Sequence, residues 1–158
     1  MSKSTEISVG LIMSDYVQGD LKILLVHSGG PYFANEIKHP RAWGFPKGLT
    51  EPNETLLETG IREFEEETGI KPTAPYESLG NVVYQNGKKV HMFVFVGKFP
   101  GKIISNKFKM EWPPKSGKYQ EFDECDRGEM FTIEEARKII MISQEPFLDR
   151  LLTYLGEI

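Results

Sequence analysis

Cysteine is nearly missing from this chain. Cys125 stands alone among 158 residues, so no intramolecular disulfide is available and the chain suits a reducing compartment. No apolar run approaches the ~20 residues that a membrane-spanning helix needs. The opening MSKSTEISVG holds no apolar stretch of signal-peptide length, and a cytoplasmic location is expected. Positive charge is not in excess. The net charge of −4 argues against general nucleic-acid binding. Internal repeats, linkers and compositional breaks are also absent, which points to one domain over residues 1–158, long enough to bury a sound core.

What the chain does have is a concentration of glutamates in residues 48–70, GLTEPNETLLETGIREFEEETGI. On a helix, Glu63, Glu66 and Glu67 fall within one arc of about 100°, because side chains three and four apart lie together. Glu65 points away, as does Glu58. Leu57, Gly60, Ile61 and Phe64 form a neighbouring face able to pack on a core. Like charges four apart destabilise a helix by ~0.2–0.5 kcal/mol per pair unless a cation bridges them. Clustered carboxylate oxygens suit magnesium or manganese before zinc. The other reading of such a run is a solvated acidic face. Asn53 is the expected N-cap and Gly69 the expected terminator, placing the helix over 54–68. Before it, Trp43-Gly44-Phe45-Pro46-Lys47-Gly48 reads as a rigid turn that brings the Gly48 carbonyl and the Lys47 ammonium to the acidic face.

Elsewhere, residues 7–13 and 21–27 read as paired strands across a Gln18-Gly19-Asp20 turn. Residues 28–41 read as a loop. Residues 76–85 and 89–99 read as a hairpin around Asn86-Gly87, a strong turn dipeptide. In its second arm Val90, Met92, Val94 and Val96 alternate with His91, Phe93 and Phe95, as in a strand covered on both sides. Residues 100–118 read as irregular and basic. A short strand is expected at 128–131 and a helix at 132–141, opened by the capping box Thr132-Ile133-Glu134-Glu135. An amphipathic helix at 143–155 completes the chain. Strands, a long helix, more strands and then helices imply a mixed sheet with helices on both sides, an α/β architecture.

The 48–70 segment resembles the box of the Nudix hydrolases at every defined position: Gly48, Glu54, Arg62-Glu63, Phe64, Glu66-Glu67, Gly69 and Ile70. That resemblance implies the Nudix α/β/α sandwich and cleavage of a pyrophosphate linkage in a nucleoside diphosphate derivative. It implies magnesium, or manganese, held by Glu63, Glu66 and Glu67 with the Gly48 carbonyl, and Glu66 or Glu67 doubling as base. Arg62 and Glu54 would orient those carboxylates. A further acid outside the box is common in the family. Of Glu121, Asp123, Glu124 and Asp126, Glu124 is favoured, since it precedes the expected strand at 128–131 at a spacing that resembles that of the extra-box glutamate in diadenosine-tetraphosphate-hydrolase-like Nudix proteins.

Lys47 is the candidate phosphate contact. Tyr84 and Trp43 are candidate substrate contacts, each of which also reads as packing, and Tyr32, Phe33 and Trp112 are further aromatic planes. The lysines at 102, 107, 109, 115 and 118 could meet a long polyphosphate or simply form a solvated loop. Cys125 reads as a small packing residue. The partner expected is a small nucleotide, with no membrane. The WGFPKG lead-in is similar to that of dinucleoside polyphosphate hydrolases, whereas residues 111–140 look like a group described as NTP pyrophosphohydrolases. Leu49 stands where the first group would have His, and Met130 where a Trp often follows the additional acid. Diadenosine-tetraphosphate-like compounds or NTPs therefore lead. Nucleotide sugars and a non-catalytic nucleotide-binding regulator remain as alternatives.

Overall fold

The computed structural model describes residues 6–157. Two long strands begin it, β1 (Ile7–Val17) and β2 (Asp20–Ser28), paired antiparallel. Gln18 and Gly19 both take positive φ, 53° and 86°, the backbone that a two-residue hairpin turn requires. The expected rigid turn at 43–48 is instead two short strands, β3 (Trp43–Gly44) on β2 and β4 (Lys47–Leu49) on β1. Helix α1 (Leu56–Thr68) follows. The hairpin around Asn86-Gly87 forms as β5 (Glu77–Val83) and β6 (Lys89–Val96). β6 pairs parallel with β1, so the seven-stranded sheet is mixed, with the order β3-β2-β1-β6-β5 and with β4 on β1 and β9 (Cys125–Thr132) on β2.

Alternation along the central strands divides the core into two layers. Leu11, Met13, Leu24 and Phe95 point to one face, where Phe64 of α1 is fully buried among them. Burial of such a ring contributes about 2–3 kcal/mol. Gly60 brings α1 close to β1, since a Cβ there would lie 3.0 Å from Leu11 Cδ2 and 3.3 Å from Val9 Cγ1. On the other face, Ile12, Ile23, Leu25, Met92 and Val94 pack against Ala136 and Ile140, and against Phe147, Leu148 and Leu151. These come from α2 (Ile133–Ile139), from the residue that ends it, and from α3 (Pro146–Leu155). The result is helix, sheet, helix.

Three further expectations are corrected. Thr55, not Asn53, caps α1: its side chain accepts the Glu58 N–H while Glu58 accepts the Thr55 N–H, so two otherwise orphaned donors are satisfied reciprocally. Asn53 sits in the preceding turn with φ 65°, and Glu54, now outside the helix, can fold back towards Arg62. Residues 100–118 are not all irregular: β7 (Lys107–Glu111) pairs with β8 (Tyr119–Asp123) in a separate two-stranded sheet. The last expected helix is divided, with a 3-10 turn at Ile142–Gln144 ahead of α3, whose first residue is Pro146. No helix among the described residues is long and apolar enough to cross a membrane.

Candidate active site

Helix α1 presents Glu67 to a cleft of about 190 Å³ lined also by Ser28, Gly44, Phe45, Lys47, Glu124, Cys125, Met141 and Gln144. The far wall is set by a strap of backbone. The Ile104 and Asn106 N–H groups donate to Thr68 O and Glu66 O at the end of α1 (2.9 and 2.8 Å). Across the strap, the Glu124 N–H donates to Asn106 O (2.8 Å) and the Cys125 N–H to Ser105 Oγ (3.0 Å). Carbonyls that a helix end leaves unpaired thus fix the distance to the residues opposite. Gly69 is needed twice here. It takes φ 73° as the helix terminator, and a Cβ on it would lie 2.9 Å from Ile104 O.

Glu67 is the most enclosed of the box carboxylates. Its Oε2 accepts the Lys47 backbone N–H (2.9 Å) and its Oε1 accepts Cys125 Sγ–H (3.3 Å). Burial raises its pKa to about 8, and the nearby charges of Glu63 and Glu124 act in the same direction. Glu63 and Glu124 are also raised, again chiefly by burial. Lys47 is lowered by burial of its ammonium, against the opposing pull of Glu67 and Glu63. Burial among carboxylates pushes the Cys125 thiol up as well, so it is a hydrogen-bond donor and not a thiolate nucleophile.

Arg62 organises the outer side. Its Nε and Nη2 hold both oxygens of Glu54 (2.7 and 3.1 Å), its Nη2 also reaches Leu49 O, and its Nη1 reaches Glu63 Oε1 (2.8 Å) and Glu66 Oε2 (3.3 Å). The Glu63 carboxyl lies so near β4 that a Cβ on Gly48 would be 2.1 Å from its carbon, which accounts for glycine there. Among the described residues, no three His, Cys, Asp or Glu groups are drawn together as a ready-made metal cage. The Arg62 guanidinium instead occupies a cationic position between Glu63 and Glu66. Glu67 and Glu124 line the cleft with Lys47 while Glu63 and Glu66 lie beside Arg62, and carboxylate oxygens of this kind suit a hard, oxygen-preferring cation.

Of the four acids considered outside the box, Glu124 lines the cleft. Glu121 stands opposite Lys109 in the β7–β8 ladder, Asp123 lies 3.9 Å from Lys107 Nζ, and Asp126 bonds His27 Nδ1 (2.8 Å). Lys107 and Lys109 thus face acids across their own ladder. Trp43 is in the core, its ring packed against His27 and Phe131 with the Arg127 guanidinium 5.2 Å from its centroid, so no face is open to a base. Tyr84 lines a separate cleft of about 630 Å³ beyond the turn that carries Ile142 and Ser143, and its phenol is pushed up by burial. That turn divides the two clefts, since Met141 and Gln144 line the first. Gln144 and Cys125 are cleft residues that periodicity does not single out. Gln144 is buried with its Oε1 accepting the Phe45 N–H (2.8 Å), and the only hint of it is a polar residue just before Glu145-Pro146.

The fold is shared with solved structures. The NUDIX domain of Shewanella oneidensis NrtR, complexed with ADP ribose, superposes with a TM-score of 0.66 at 16% identity, covering 98% of this chain and 90% of that one. A Caenorhabditis elegans Ap4A hydrolase, in a binary complex, gives 0.65 at 20% identity over 98% and 100% of the two chains. An RNA pyrophosphohydrolase of Coxiella burnetii (strain RSA 493 / Nine Mile phase I) is 38% identical over 50 residues, 32% of this chain and 22% of that protein. The stretches matched in curated relatives span only about a fifth of their length. The NUDIX domain family matches residues 5–151, and the chain belongs to that family.

Proposed function

We propose that this protein hydrolyses a pyrophosphate linkage in a nucleoside polyphosphate, with a dinucleoside polyphosphate of the diadenosine tetraphosphate kind or an NTP as substrate. The observation that carries the reading is that Glu67 and Glu124 line one cleft together with Lys47, with Glu63 and Glu66 near enough to act on them electrostatically. Glu63, Glu66 and Glu67, with the Gly48 carbonyl, would hold magnesium or manganese. A divalent cation bound there supplies neutralisation of phosphate oxygens and acidification of a coordinated water.

The chain's own residues do the rest. Lys47 presents its ammonium to a phosphate oxygen, and Arg62 keeps Glu63 and Glu66 from turning away. Glu67 or Glu66 takes the proton of the attacking water; burial raises the basicity of the Glu67 carboxylate, which favours it for that step. Tyr84 offers an aromatic plane on the far side of the 142–144 turn, where a nucleobase could lie while its phosphates occupy the acidic cleft. The lead-in Trp43-Gly44-Phe45-Pro46-Lys47-Gly48 supports the dinucleoside polyphosphate choice.

The test is a panel of dinucleoside polyphosphates, NTPs and nucleotide sugars, each assayed for phosphate-containing products with magnesium and with manganese. Turnover highest on the first two classes is expected. Turnover only on nucleotide sugars would replace the substrate class. No turnover on any of them, with tight nucleotide binding, would replace the enzyme by a nucleotide-binding domain.

A further inference from the structure

The Glu67 carboxylate is pinned by two elements other than its own helix. Oε2 is held from β4 by the Lys47 backbone N–H, and Oε1 from the start of β9 by the Cys125 thiol. The last torsion of a glutamate is broad and soft, so one donor on one oxygen leaves the carboxylate plane free to turn about that contact. A second donor on the other oxygen fixes the plane. Cys125 can do this because its own position is fixed: its N–H donates to Ser105 Oγ (3.0 Å), and the Gly29 N–H donates to the neighbouring Glu124 O (2.8 Å). The side chain is buried and lines the cleft, yet it packs in neither of the two apolar core clusters.

We propose that Cys125 is a positioning residue, whose thiol orients the Glu67 carboxylate so that its remaining lone pairs face the cleft. The proposal rests on the hydrolase reading above, in which Glu67 is both a cation ligand and the favoured proton acceptor. Each oxygen accepts one protein hydrogen bond and keeps lone-pair capacity for a cation or a water. Cys125 acts through Glu67 and needs no contact with substrate.

Cys125→Ala removes the donor, Cys125→Val removes it while filling the space, and Cys125→Ser restores a donor on a shorter arm. The full-length variants are compared by titration with manganous ion alone and by steady-state kinetics. Expected for the alanine and valine variants are manganous-ion binding weakened about 10-fold and kcat lowered about 10-fold, with KM within twofold of the parent. The serine variant should recover most of both losses. Wild-type manganous-ion affinity in the valine variant would overturn the proposal, as would a serine variant no better than alanine. Absence of turnover by the parent protein on every nucleotide would instead sink the hydrolase reading, while the manganous-ion titration, which needs no substrate, still decides the role of Cys125.

Discussion

Glu54 and Glu67 belong to one acidic segment and have opposite surroundings. Glu54 lies just ahead of α1, where its carboxylate accepts from Arg62 Nε and Nη2, from Thr59 Oγ1 (2.6 Å) and from the Glu51 N–H (3.1 Å). The Arg62 hydrogen bonds lead in lowering it to about 2. Glu67, near the other end of the helix, is enclosed, has no guanidinium, and is raised to about 8 by burial. Partners dominate at one end and desolvation at the other. The lesson is that a saturated carboxylate holds structure in place, whereas an under-compensated buried one keeps capacity for a cation or a proton.

The largest effect should come from removing that capacity. Glu67→Gln keeps the shape and the hydrogen-bonding reach but loses the charge, and kcat should fall about 1,000-fold. The melting temperature of the metal-free variant at pH 8 should equal or exceed the parent's, because an unfavourable buried charge has gone. Steady-state kinetics with thermal melts checks both, and near-parental turnover would remove Glu67 from the site.

The two glutamates should also leave opposite marks on stability against pH. Glu67 is raised on folding, so the metal-free protein loses stability as pH rises from about 4.5 through about 8, by up to ~1.4 kcal/mol per pH unit from this group. Glu54 is lowered on folding, so its contribution is present above about 4.5 and is lost as pH falls towards about 2. Urea-unfolding midpoints should therefore flatten between about pH 4.5 and 8 in Glu67→Gln, and between about 4.5 and 2 in Glu54→Gln. Identical profiles for the two variants would break the comparison.

A smaller effect is expected from Arg62→Lys, which retains the charge but not the planar fork that spans Glu54 and reaches Glu63 and Glu66. Turnover should fall about 10-fold while Glu67 keeps its raised pKa. A shift of Glu67 as large as that of Glu54 would show that the two environments are not separate.

Much of this was legible in the sequence, for identifiable reasons. Glu63, Glu66 and Glu67 stand at spacings that a helix brings to one side, and Leu57, Ile61 and Phe64 mark its packing face. The alternation in Lys89–Val96 marks a strand covered on both sides, which its place between β1 and β5 and the two core layers bear out. Other features escaped because the signals competed. Asn53 is a cap-type residue two positions too early, and the reciprocal Thr55–Glu58 pair sets the start of α1 instead. The β7–β8 sheet escaped because Lys107 and Lys109 find Asp123 and Glu121 across the ladder, a pairing that charge counting along one strand cannot reveal. The contact between Cys125 and Glu67 joins residues 58 apart and leaves no local pattern.

The most direct test is a carbon-13 NMR titration of the side-chain carboxyls in metal-free protein, assigned with the Glu67→Gln and Glu54→Gln variants. Glu67 should titrate near 8 and move downward when magnesium is added, while Glu54 should show no transition until about 2. Glu67 titrating near 4, unmoved by magnesium, would contradict the account.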